Sequence, residues 1–161
     1  MATQQLTQFQ ATLCASIAAA QEFSVLLVDE RQHLTSTQRE AINTALPQKE
    51  HLIQKLGTLQ NSILAFCTAS AIEPSYGALR SYLYRLAIPE AETILGYWTA
   101  LKNTLIKNQA LNKTNEAILK ELIRRNQIKQ SIITNLGRQS DTYSAPGQQR
   151  SRTVQGWVEQ V

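Results

Sequence analysis

Residues 111–131, LNKTNEAILKELIRRNQIKQS, decide how the chain folds. The stretch has helical spacing, yet asparagine interrupts its most regular apolar row. Stepping by four and three from Ile94 passes Trp98, Leu101, Leu105, Asn108, Asn112, Asn115, Leu119, Leu122, Asn126, Lys129, Ile133 and Leu136, and four of these thirteen positions are asparagine. In a coiled coil, one seam asparagine costs stability and fixes register and oligomeric state. Four within nineteen residues exceed that need, and Leu111, Ile118, Ile123 and Ile132 flank the row as a second apolar edge. A mixed face of this kind suits an open groove, in which amides hydrogen-bond an incoming helix while leucine and isoleucine grip it.

Working outward, the helical pattern runs from Pro89, a residue suited to a first turn, to Gly137, a natural C-terminal stop. That is about 48 residues, on the order of 70 Å of helix. Upstream, Leu6, Phe9, Leu13, Ile17, Phe23, Leu27 and Leu34 form an apolar stripe that predicts a helix over residues 3–34. Thr37 and Glu40 have the spacing of a capping box for a second helix, which carries Ile42, Leu46, Leu52, Ile53, Leu56, Leu59, Ile63 and Phe66. Pro47 is expected to kink that helix or split it in two. TASAIEPSYG is a linker, followed by a short helix over about residues 78–87. The fold class is therefore all-α: an elongated antiparallel helical bundle or coiled-coil hairpin with a long C-terminal helix. Residues 1–137 are expected to form the bundle domain. Residues 138–161, polar and without a period, are expected to be a flexible tail carrying the isolated Tyr143 and Trp157.

At 161 residues the length supports one domain, and six glycines, four prolines and few aromatics favour helices over a sandwich or barrel. The net charge of +4 is uneven. Residues 1–74 hold four Lys/Arg against six Asp/Glu, and residues 75–161 hold twelve against six. Cys14 and Cys67 read as reduced core residues, because a hairpin turning near residue 35 leaves them about ten residues, or ~15 Å, out of register for a disulfide. No Lys or Arg precedes Arg31, and Gln21 and Glu22 cut the first apolar run at ten residues, so neither a secretory signal nor a bilayer span is expected. A cytoplasmic location is expected. Two histidines, with no HExxH, CxxC, nucleophile elbow or phosphate-cradling glycine loop, argue against catalysis, a small-molecule substrate or a cofactor.

Three sets of residues then carry a resemblance. Leu26-Leu27, Glu30 and Leu34, with Lys49, Leu52-Ile53 and Leu56, are similar to the double-leucine and lysine pattern in the first hairpin of the FlgN-like family, the chaperones of flagellar type III export. Asn112-Lys-Thr-Asn115 followed by Ile118-Leu119 resembles its asparagine signature in the last helix. Leu136-Gly137 and SDTYSAPG resemble its closing glycine and tyrosine. Pro47, the basic C-terminal half and the continuation from Gly147 to Trp157 are departures. The resemblance implies binding of the C-terminal helices of the hook-associated proteins at the hook–filament junction. It also implies docking of Tyr143 on the cytoplasmic domain of the export gate. The client surface expected on this basis is Leu111, Asn112, Asn115, Ile118, Leu119, Leu122, Asn126 and Ile133.

Two other classes compete. The stripe from Lys102 to Arg138, with Arg124, Arg125 and Lys129 foremost, offers phosphate contacts to nucleic acid, although no reading module or stacking aromatic accompanies it. A self-associating coiled coil would instead use the asparagines to specify its oligomer.

Overall fold

The alanine-rich stripe from Leu6 to Leu34 folds as one helix, α1 (Ala2–Thr35), and a turn returns the chain into α2 (Arg39–Ala69). A short α3 (Tyr76–Arg85) leads to α4 (Ala91–Asp141), the longest element at 51 residues. The computed structural model describes residues 2–36 and 39–141, with side chains over 4–36, at 40 and over 43–135. Among these residues all regular structure is helical. Thr37, Tyr143 and residues 142–161 lie outside the described residues, as does the expected capping box.

The chain divides into two units, Met1–Ile118 and Leu119–Val161, and α4 contributes to both. In the first unit α1 and α2 are antiparallel: Lys49 reaches Glu30 at 2.8 Å and Lys55 approaches Glu22 at 3.8 Å, so pairing positions rise on one helix as they fall on the other. One core cluster joins Leu6, Phe9 and Leu13 of α1, Ile63 of α2, Leu79 and Leu83 of α3, and Ile94, Leu95 and Leu101 of α4. Phe9 and Phe66 stack with centroids 3.9 Å apart, and Tyr82 meets Phe66 edge-on. Farther along the helices, Phe23, Leu26, Leu27 and Leu52 form a second cluster that Leu111 flanks. Each fully buried leucine contributes about 1.5–3 kcal/mol.

Several expectations are corrected. Of the two outcomes expected at Pro47, a division of α2 does not occur; its neighbours Asn43, Thr44 and Leu46 are exposed, so water can satisfy the carbonyl that proline leaves free. Cys14 is exposed rather than in the core, while Cys67 is buried, and burial pushes its thiol pKa up. Gly137 does not end α4, since one glycine costs a helix only about 1 kcal/mol. Gln21 and Glu22 do not leave the first helix too short or too polar for a bilayer span. Residues 4–35 are long and apolar enough, by length and composition, to cross a membrane, with mean hydropathy 1.6 in the richest window. The face this helix buries packs against α2, α3 and α4.

The ends of α2 and α3 are closed without glycine. Ala71 and Ala87 adopt left-handed backbone, with φ of 52° and 50°. The next residues return N–H groups to the helix: Ile72 to Cys67 at 2.9 Å and Ile88 to Leu83 at 3.2 Å. Both isoleucines then pack on the core, as the hydrophobic closure of such a cap requires. Ser75 caps the start of α3 by accepting from the Ala78 N–H at 3.2 Å.

Candidate functional site

The asparagine row on α4 meets α1 through a repeated contact. Asn108 donates from Nδ2 to the Ala20 carbonyl at 2.7 Å, and seven residues later Asn115 donates to the Leu27 carbonyl at 2.8 Å. Each amide oxygen accepts from an α1 side chain. Ser24 donates its hydroxyl to Asn108, and Arg31 donates Nε to Asn115 at 3.2 Å. A helical carbonyl has a second lone pair beyond its own i+4 bond, so α1 accepts these amides without losing a turn. The separation between partners stays constant as both chains advance, so α1 and α4 are parallel here. Asn108 and Asn115 are only 3% and 2% exposed. Buried amides with every group paired specify register, whereas an unpaired one would cost about 1–3 kcal/mol.

Asn115 also links three helices. Its Nδ2 lies 2.7 Å from Glu30 Oε2, the oxygen that accepts from Lys49 Nζ of α2 at 3.0 Å. Ser24, Glu30, Arg31 and Lys49 are therefore the partners of the row. The spacing of Ser24 and Arg31, equal to that of Asn108 and Asn115, is the sequence signal for the pairing.

The remaining expected residues take different positions. Leu111 and Asn112 are half-buried in the first unit. Asn112 donates to Glu116 at 2.7 Å, and its Oδ1 is buried with no partner among the described residues. Ile118 is half-buried at the end of that unit. Leu119, Leu122, Asn126 and Ile133 belong to the second unit, where Leu122 and Asn126 are half-buried. Leu119 is 42% exposed and Ile133 64%. Among the described side chains none after Asn115 is buried. At about 100° per residue, Leu119, Leu122, Ile123, Asn126 and Ile133 fall within an arc of about 100°, over about 21 Å of helix. Ile128 and Ile132, also exposed, lie on the other side.

On the side of α4 opposite this strip, Glu121 accepts from Arg124 Nε and Arg125 Nε, each at 2.9 Å. Those hydrogen bonds hold its carboxyl at about 2, well below the ordinary 4.5. They also engage two of the three bases expected to contact phosphate; Lys129 is exposed. On α3 the Arg80 guanidinium lies over the Tyr84 ring, and the Tyr84 hydroxyl donates to Glu92, which raises the tyrosine pKa. Among the described residues no three His, Cys, Asp or Glu side chains gather as metal ligands. The arrangement offers hydrogen-bonding amides and apolar side chains, the chemistry of protein recognition.

A family model described as FlgN protein matches residues 1–151. No curated protein and no solved structure gives a significant match.

Proposed function

The chain belongs to the FlgN family, a family of flagellar export chaperones, and on that premise we propose that its α4 row binds the C-terminal amphipathic helices of hook-associated proteins. The observation that carries this reading is the strip of Leu119, Leu122, Ile123, Asn126 and Ile133, left half-buried or exposed on one helical face. A client helix laid along it hides its own apolar stripe, which would otherwise aggregate, and covers the chaperone's as well. Leu111, Asn112, Asn115 and Ile118, in the first unit, complete the proposed set. There the free Oδ1 of Asn112 offers an acceptor, and Asn115 acts by holding α4 to α1.

The chaperone is proposed to work in the cytoplasm, keeping its clients soluble and delivering them to the cytoplasmic domain of the export gate through Tyr143. A single aromatic ring suits such a weak, reversible contact. Neither catalysis nor a cofactor enters this reading.

Calorimetric titration with a peptide from the C-terminal helix of a hook-associated protein, at two salt concentrations, tests the proposal. Saturable one-to-one binding with a negative heat-capacity change and little salt dependence is expected. Binding should fall at least tenfold in the Leu119→Asp/Leu122→Asp variant while helicity is kept. Affinity that drops steeply with salt would instead favour the nucleic-acid-like electrostatic mode. Tyr143→Ala should leave client binding intact and weaken binding to the gate domain; equal gate affinity refutes that role.

A further inference from the structure

A second apolar surface lies in the first unit, lined on α4 by Trp98, Leu101 and Leu105, which precede the asparagines in the same row. It is a cleft of about 890 Å³ between α2 and α4, with the start of α3 at one end. Its floor is the buried core, where Ile63 and Leu101 reach it, while Leu64, Tyr76, Leu105 and Ile106 line it and stay exposed. Two neighbouring helices make a groove shaped to take the ridge of another helix. Three long helical stretches, α1, α2 and the first part of α4, build this unit. The fourth position of a four-helix arrangement is left to α3, whose ten residues fill only one end.

The polar groups define what fits. Lys102 is the one charged side chain lining the cleft, and among the described residues it has no ion-pair or hydrogen-bond partner. Gln60 of α2 and Gln109 of α4 also line it, with no partner among the described residues. An apolar strip with one cation and two amides is complementary to an amphipathic helix that presents one carboxylate.

We infer that this cleft is a second docking site for the exported client, seating a helical segment whose carboxylate meets Lys102. The inference rests on the chaperone reading above and adds a surface to it. A client gripped at two places gains affinity without a larger single interface, because the second contact forms at high effective concentration.

The test uses the full chain and the C-terminal region of a hook-associated protein long enough to hold more than one helix. Lys102→Glu and Ile106→Asp should each weaken binding by about tenfold or more, with helicity unchanged because both positions are exposed. A client in which one acidic residue is changed to lysine should recover binding to the Lys102→Glu chain. Affinity unchanged in both variants, while Leu119→Asp/Leu122→Asp abolishes binding, overturns the cleft and leaves the chaperone reading standing. Weakened binding that no acid-to-lysine change restores overturns the ion pair and with it the proposed occupant. No binding by the wild-type chain overturns both readings. Sedimentation in which the variants lose only self-association assigns the cleft to a second copy and overturns the client.

Discussion

The same row of α4 meets two different fates. At Leu101, Asn108 and Asn115 it is closed: all three are buried, and both asparagines are bonded to α1. From Leu119 to Ile133 it is open, with aliphatic side chains half-buried or in solvent. Two polar positions, Asn108 and Asn115, are buried while two apolar ones, Leu119 and Ile133, are exposed, the reverse of the usual sorting. Burial tolerates an amide once a neighbouring helix supplies carbonyls and side-chain donors. The exposed isoleucine and leucine side chains are the surface proposed above for a client helix. Both outcomes follow one heptad spacing, so periodicity alone does not say which part of a seam is used internally.

Truncation would test the contrast most strongly. Leu27→Ala, in the closed part's α1 partner, should lower stability by about 2–5 kcal/mol in urea unfolding, whereas Ile133→Ala should change it by less than about 0.5 kcal/mol. Similar losses at both sites would break the comparison. The asparagines sharpen it. Asn115→Ala removes two donors and leaves Glu30 and Arg31 each short of one partner, and should cost about 1–3 kcal/mol. Asn126→Ala should cost less than about 0.5 kcal/mol in the same assay. An equal cost would show that the open part is packed as tightly as the closed part.

The smallest effect concerns pH. Glu121 titrates near 2 on the helix against an ordinary 4.5, so the helical form binds fewer protons in that window. Its support for the second unit is complete above pH 4.5 and is lost as pH falls through about 2. Carboxyl NMR should place the Glu121 midpoint near 2 at low salt and move it toward 4.5 at high salt, because the pairs are exposed. A midpoint near 4.5 at all salt concentrations would show that both arginines are free of it.

The helices were legible in the sequence because their stripes are long. The stripe from Leu6 to Leu34 predicts a helix over residues 3–34, one residue short of α1 at each end. The boundaries of α3 were less so. Its stop is made by Ala87 in a conformation that usually signals itself through glycine, so the reading ran two residues past Arg85. The anomaly of the asparagine row was visible, but its partners were not. Two are backbone carbonyls, which no residue type announces, and the others are a serine and an arginine in a helix otherwise read by its leucines. Cys14 sits in apolar sequence yet faces outward, because alanines occur on both faces of so alanine-rich a helix, Ala15 and Ala18 exposed and Ala19 and Ala20 buried.

The parallel pairing of α1 with α4 also sets an order of assembly. The hairpin of α1 and α2 closes between near neighbours in the chain, whereas Ala20 meets Asn108, and Leu27 meets Asn115, across a separation of 88 residues. At ~5–20 residues per second of synthesis, the α1 face waits about 4–18 s for its partner to be made. A continuous leucine stripe standing bare for that time would recruit other nascent chains. Ser24 and Arg31 interrupt this one, and the same two polar groups later fix the register with α4.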